Sequence, residues 1–327
     1  MVEIAKLREI AAEVVSREDV RQLIGYRQGT YGFRARPAFI TSPDEVDQLI
    51  FSPACVNNLA TYLTLEEKLP VPRGQEPDLR KVAVMVKGCD SRALVQQMEE
   101  KAYERDRIVV LGIPCTGVVD MEKVEKRFPG VLERGEIALE GDKFVLTFGG
   151  KREEVPREEL LADKCKRCRY PTPLVYDQLL GEEVARFADD DYSDVVALEK
   201  RSAEEKWAYW EEKFSRCIRC YSCRNVCPMC YCQDCVLDRL NPQWMRRSVD
   251  ISENTAYHIA RAYHLAGRCI QCGECQRVCP VEIPLMELNR KFYKDVEELY
   301  DYEPGTDAEA PPLLATFKVD DREDFIL

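Results

Sequence analysis

Cys217, Cys220, Cys223 and Cys227, followed by Pro228, spell CxxCxxCxxxCP, and Cys269, Cys272, Cys275 and Cys279, followed by Pro280, spell it again. No other feature limits what this chain can fold into as strongly. A lone CxxC pair is compatible with zinc, whereas two complete copies carry the spacing of a module that holds two 4Fe–4S clusters. Three closely spaced thiolates wrap one cubane in a tight loop. The fourth, a little further on, turns toward the other cluster, and the proline stops the turn from continuing. The expected ligand sets are Cys217, Cys220, Cys223 and Cys279 for one cluster, and Cys269, Cys272, Cys275 and Cys227 for the other.

The remaining thiols need the composition. Sixteen cysteines occur in 327 residues. Structural disulfides would need an oxidising compartment. The N-terminus, "MVEIAKLREIAAEVVSRED", carries charges throughout and reads as an amphipathic helix rather than a signal peptide. No apolar stretch approaches the roughly 18 residues that span a bilayer. A cytoplasmic protein without membrane insertion is the expectation, with its thiols reduced and available to metals. Net charge is −12 and no block of Lys and Arg appears, which argues against nucleic acid as a partner. From Asp301 onward there are eight acids and two bases. That stretch reads either as a solvated tail or as a surface that steers a basic partner.

Residues 201–300 are expected to form a mainly α-helical dicluster ferredoxin-like domain, with an acidic tail over 301–327. Upstream of the first copy, "SAEEKWAYWEEKFSR" carries a capping box, Ser202 with Glu205, and sets Trp207, Trp210 and Phe214 on one face to pack near the first cluster. Between the copies, "SENTAYHIARAYHLAG" predicts a helix with Ser252 as N-cap, Gly267 as its end, and Ala256, Ile259, Ala260 and Tyr263 as its apolar stripe. The two histidines, His258 and His264, both fall here. They read either as surface residues or as groups that tune or ligate a centre.

Residues 1–163 are expected to form an α/β domain with a mostly parallel sheet, joined through a CxxC-containing linker, 164–200. "KVAVMVKG" and "DRIVVLGIPC" read as buried strands, each followed by a helix, and "EIALEGDKFVLTFGGKREEV" reads as a hairpin around Gly141-Asp142. Asp90 or Ser91 would cap the helix after the first strand. Cys89 and Cys115 follow these two strands, so a parallel sheet would bring both to its carboxyl edge, where α/β folds place their chemistry. With Cys165 and Cys168 they make four thiols, enough for a third 4Fe–4S cluster. A structural zinc and unmetallated buried cysteines are the alternatives.

Cys55, Cys230, Cys232 and Cys235 remain. The compact CxCxxC could grip a fourth cluster or a zinc ion, with Cys55 completing it. Another partition joins Cys165 and Cys168 to Cys232 and Cys235 and leaves Cys55, Cys89 and Cys115 near the sheet edge. Unmetallated thiols that tune a neighbouring cluster are a third option. In "GYRQGTYGFRARP", glycines alternate with Arg27, Arg34 and Arg36, which reads as a surface turn or as a contact for a flavin or nucleotide phosphate.

"VMVKGCDSRAL", "VVLGIPCTG" and "CKRC", in that order, together with "ARPAFITSPDEVDQLIFSPACVNNLATYL", resemble the beta subunits of deazaflavin-coenzyme-reducing hydrogenases and formate dehydrogenases over roughly residues 20 to 175. The resemblance implies that Cys115, Cys165 and Cys168, with Cys89 next, bind a 4Fe–4S cluster. It also implies a flavin, FAD, that exchanges electrons with a deazaflavin. The whole chain looks most like dicluster relatives that sit beside hydrogenase, formate dehydrogenase or heterodisulfide-reductase-like subunits in anaerobes. Three functions follow as expectations: an iron–sulfur electron-transfer subunit of such a complex, a flavin-dependent subunit acting on a deazaflavin or nicotinamide coenzyme, and a thiol- or disulfide-reducing iron–sulfur enzyme.

Overall fold

A computed structural model describes residues 2–68, 71, 73–187, 189–317 and 319. The chain divides into two compact units, Met1–Leu94 with Tyr103–Asp191, and Val95–Ala102 with Tyr192–Leu327.

The first unit opens with helix α1 (Ile4–Val15), which buries Leu7, Ile10, Ala11, Val14 and Val15. Their spacing of three and four makes one apolar face, as the charged, amphipathic N-terminus predicts. Five strands follow in the order β2-β1-β3-β4-β8: β1 is Val20–Gln28, β2 Ala35–Ile40, β3 Lys81–Val86, β4 Ile108–Gly112 and β8 Gln178–Leu179. Strands β3 and β4 are apolar almost without interruption and bury both faces, the habit of central strands covered on two sides. A second sheet is the antiparallel meander β5 (Glu136–Glu140), β6 (Lys143–Phe148) and β7 (Lys151–Pro156), turning at Gly141-Asp142 as expected.

The expected mostly parallel sheet is corrected. Pairs β1/β3, β3/β4 and β4/β8 are parallel, but β1/β2, β5/β6 and β6/β7 are antiparallel, so the strands form a mixed set. The glycine–arginine stretch supplies one cause. It folds as a hairpin whose turn closes with the Gly29 N–H donating to the Arg34 carbonyl at 2.6 Å. So short a connection can join only antiparallel strands.

The second unit is built mainly of helices, among them α3 (Ala203–Ser215), α4 (Ile251–His264) and α5 (Leu285–Tyr300); α2 (Gly88–Glu99) begins in the first unit. The Ser202–Glu205 capping box starts α3 as its sequence predicts. Phe214 is buried and stacks on Trp210, but Trp207 is 52% exposed and takes no part in that packing. For α4 the N-cap is Asp250, not Ser252; the Asp250 carboxylate accepts from the Glu253 N–H and from the Ser252 hydroxyl. Its buried face also differs from the apolar stripe. Asn254, Tyr257, His258, Arg261 and Ala262 are buried, whereas Tyr263 is 59% exposed. Helical periodicity is present in both sets. The polar set faces inward because cysteine-lined cavities, not hydrocarbon, lie against it.

Within this unit Tyr302 donates to Glu99, and Tyr293 donates to Glu303 at 2.9 Å. The start of the acidic stretch is thereby packed; residues 318 and 320–327 of the expected tail lie outside the described residues. Among the described residues no helix is long and apolar enough to cross a membrane.

Candidate metal centres

The two motif copies adopt matching backbones. Arg219 and Gln271, before the middle cysteine of each copy, have φ of 54° and 56°, and Tyr221 and Gly273, after it, have φ of 60° and 71°. Alternation of right- and left-handed residues turns successive N–H groups inward and makes a concave, anion-binding loop. Only Gly273 is free of the steric cost of that conformation. A short helical turn follows each loop, Ser222–Asn225 and Glu274–Arg277.

Two cavities result. One is lined by Cys217, Cys220, Cys223 and Cys279, with Tyr257, His258, Ile283 and Leu285 among its other walls. The second is lined by Cys227, Cys269, Cys272 and Cys275, with Met229, Arg261, Leu265 and Asn289. Each cavity therefore gathers three thiols from one copy and the last thiol of the other, the partition that the spacing predicts. Backbone and side-chain N–H groups point at several of these sulfurs. Arg219 N–H donates to Cys217 Sγ at 3.4 Å, Ile283 N–H to Cys279 Sγ at 3.4 Å, and Asn289 Nδ2 to Cys275 Sγ at 3.5 Å. Asn254, fully buried, ties the first loop to α4 through the carbonyls of Phe214 and Cys217, both at 3.0 Å.

His258 corrects the surface reading, while His264 is exposed. The His258 imidazole stacks on Phe214 at 4.7 Å, and neither of its ring nitrogens has a hydrogen-bond partner. Burial, then the Arg261 and Arg219 charges, push its pKa down to about 3, so the ring is neutral. A neutral imidazole still carries one N–H, and leaving it unsatisfied costs about 1–3 kcal/mol. An anionic sulfur-rich group in the cavity that His258 lines would accept that hydrogen. The donor set and this orphaned nitrogen both fit a 4Fe–4S cluster.

Cys230, Cys232 and Cys235 go three ways. Cys230 lies against Cys227, and a hydrogen shared between the two sulfurs draws the Cys227 thiol down and pushes Cys230 up. Cys232 is exposed, and Cys235 packs with the apolar cluster around Leu237 and Phe214. Cys55 belongs to the first unit, where it is buried and its sulfur accepts from the Ser52 N–H at 3.3 Å. Among the described residues no three His, Cys, Asp or Glu side chains close on one point as a single-ion site.

In the first unit Cys89, Cys115, Cys165 and Cys168 lie within electrostatic reach of one another in sequence: Cys89 with Cys115, and Cys115 with both Cys165 and Cys168. Cys89 sits in the first turn of α2, which begins at Gly88, earlier than a cap at Asp90 or Ser91 would place it. Cys115 follows β4 and is held by its N–H donating to the Pro171 carbonyl at 2.9 Å. A side chain at Gly88 would meet the Tyr170 carbonyl oxygen at 1.6 Å, so glycine is what lets the segment after CxxC press against the start of α2. The Val118 N–H donates to Cys165 Sγ at 3.4 Å and the Gly117 N–H to Cys115 Sγ at 3.3 Å. Burial, then the Cys165 charge, push the Cys115 thiol up to about 12. Burial likewise raises Cys89 and Cys168. Ionising such a group is unfavourable without a cation, and iron or zinc would supply one.

Lys87 was not singled out by the sequence pattern. Its ammonium is fully buried, pairs with Asp90 at 2.9 Å, donates to the Asn57 carbonyl at 2.8 Å and to the Tyr26 hydroxyl. Burial works against its charge, yet Asp90 and the thiols of Cys89 and Cys115 hold its pKa above the ordinary lysine value. Arg27 donates to Gln48 at 3.0 Å and pairs across β1–β2 with Arg36; Arg34 and Arg36 are exposed. The three arginines thus sit on a surface hairpin.

A family model described as a 4Fe–4S dicluster domain matches residues 212–283, which contain all eight motif cysteines. An F420-dependent formate dehydrogenase subunit beta from Methanocaldococcus jannaschii is 22% identical over 89% of this chain and 89% of its own length. The chain resembles formate dehydrogenase beta subunits. A second relative, the F420-dependent formate dehydrogenase 1 subunit beta of Methanococcus maripaludis, is 26% identical over 89% of this chain and 88% of its own. Both alignments extend the likeness well past the region around the first unit's cysteines and through the dicluster segment. A chain of the F420-reducing NiFe hydrogenase complex from Methanosarcina barkeri overlaps 52% of this chain and 59% of its own, with a TM-score of 0.38 and 15% identity, too loosely to carry an argument.

Proposed function

We propose that this chain is the iron–sulfur electron-transfer subunit of a larger oxidoreductase complex, with formate dehydrogenase or hydrogenase subunits as its partners. The observation that carries the reading is the pair of cavities, each lined by three cysteines of one copy and the fourth of the other. The beta-subunit relatives support the assignment to a complex. In this reading Cys217, Cys220, Cys223 and Cys279 hold one 4Fe–4S cluster, Cys227, Cys269, Cys272 and Cys275 a second, and Cys89, Cys115, Cys165 and Cys168 a third. Such clusters, when bound, supply one-electron transfer at low potential. The chain's own part is to hold the thiolates apart, exclude water and place positive charge nearby. Inward N–H groups, Asn289 and the buried neutral His258 supply hydrogen-bond donors in the second unit, and Lys87 supplies charge in the first.

Anaerobic purification followed by iron, acid-labile sulfide and flavin assays tests this. About twelve irons with matching sulfide are expected, four for each of three cubanes. About eight would remove the first-unit cluster, and none would sink the reading. The F420-dependent names of the relatives favour a second reading, in which FAD bound by this chain exchanges electrons with a deazaflavin or nicotinamide coenzyme. Stoichiometric flavin in the same preparation would establish it in place of a pure relay.

A further inference from the structure

Arg261 is 3% exposed. Its Nη2 donates to the Cys223 carbonyl at 3.0 Å, and its Nε has no partner. No carboxylate among the described residues lies within ion-pair distance of it. The groups whose ionised forms would favour its charge are the thiols of Cys230, Cys227, Cys275 and Cys223. A guanidinium cannot shed its proton, so its burial without a counter-ion costs several kcal/mol. The other buried cations of this unit are provided for differently. Arg290 is paired with Asp194 at 2.8 Å, and Arg268 with Glu100. Arg219 donates to the carbonyls of Glu253 and Arg246, at 2.8 and 3.0 Å, and lies over the Tyr257 ring; its Nε is unpartnered too, but it lines the other cavity. Arg261 alone of these four is a wall of the cavity that holds Cys227, Cys269, Cys272 and Cys275 while keeping a donor unspent.

We propose that Arg261 is a positioning residue for the centre held by Cys227, Cys269, Cys272 and Cys275, its buried charge raising that centre's reduction potential. The inference rests on the reading of this cavity as a 4Fe–4S site. Reduction adds one electron, and hence one negative charge, to a group already negative. A fixed positive charge in a low-dielectric wall stabilises the reduced form more than the oxidised form. His258, on the same face of α4, lines the other cavity as a neutral ring, and the cation of that cavity is a different residue, Arg219, tied to two backbone carbonyls.

The test uses the full chain, purified anaerobically, with iron and sulfide counted before each potentiometric titration followed by electron paramagnetic resonance. Cys272→Ser, which alters the spectrum of one centre, identifies which signal belongs to this cavity. Arg261→Gln with iron intact should lower that centre's potential by a tenfold change in its reduction equilibrium, 59 mV for one electron. The other centre should shift by less than half as much. Arg261→Lys, which keeps the charge, should stay within a twofold change of wild type. Unmoved potentials in Arg261→Gln, or equal shifts of both centres, would overturn the proposal. If Arg261→Gln fails to hold iron, the lysine variant decides: with iron retained, a tenfold shift in it overturns the role of charge, and a wild-type-like value upholds it. Wild-type protein devoid of iron would instead sink the cluster reading itself.

Discussion

The two cysteine-rich regions hold their thiols by opposite means. In the second unit each cavity draws three sulfurs from one short loop and a fourth from the other copy, so the two loops complete each other. In the first unit the four sulfurs come from the start of α2, the loop after β4 and the CxxC segment, brought together by a sheet and by the close approach that Gly88 permits. Their countercharges differ as well. The first unit has a complete ion pair, Lys87 with Asp90, beside its thiols, whereas Arg261 in the second has no carboxylate in ion-pair reach among the described residues. A loop motif makes its site locally and shares it by exchange. A sheet-edge site depends on the whole fold around it.

That contrast can be broken most decisively through the ligands. Cys275→Ala should cost about eight irons, since losing one cubane of four irons unsettles the loop that completes the other. Cys115→Ala should cost about four, confined to the first unit. Iron analysis with resonance spectra separates the cases, and a loss of only about four in Cys275→Ala would show the two cavities to be independent. The next largest effect is expected at Lys87. Lys87→Met leaves the Asp90 carboxylate buried and alone, at a cost of about 3–5 kcal/mol, readable as a lowered urea midpoint. Pairing it with Asp90→Leu should recover much of the loss; if the double variant is no better, the pair is not what the single variant breaks.

Asn254→Ala removes donors from the carbonyls of Phe214 and Cys217 and should destabilise the second unit by about 1–3 kcal/mol, with spectra of the first-unit centre unchanged. The smallest effect is on pH dependence. Burial pushes Glu99 up to about 7 from the ordinary value of 4.5. Its folded-state pKa is raised, so the protonated form is favoured by folding. That contribution is complete below about pH 4.5 and is lost as pH rises through about 7. With solvent screening of a carboxyl only partly withdrawn from water, wild type should therefore lose on the order of 1 kcal/mol relative to Glu99→Gln across that window, in parallel urea titrations. Identical pH profiles would mean that Glu99 titrates normally.

Much of this was legible from residue spacing. The grouping of three thiols of one copy with the last thiol of the other, the capping box at Ser202, the amphipathic α1 and the turn at Gly141 follow from short-range rules that tertiary packing left intact. The phase of α4 did not. Ala256, Ile259, Ala260 and Tyr263 look like a core stripe only if the core is hydrocarbon. Against cavities walled by sulfur, the stripe of Asn254, Tyr257, His258 and Arg261 is the one with hydrogen bonds and charge to offer. The same i, i+3, i+4, i+7 spacing was present in the polar residues and would have pointed to them. Trp207 stayed exposed although it shares the spacing of Trp210 and Phe214.

By itself the sequence determined where the two cysteine loops lie and which thiols would meet in each cavity, because that information is carried within a few residues of each cysteine. Only the tertiary structure decided the rest. It brought Cys115 to the buried Lys87–Asp90 pair and, among the described residues, left Arg261 buried with no carboxylate in ion-pair reach. These arrangements depend on desolvation and on partners far apart in the chain, and neither is written in the spacing of one motif.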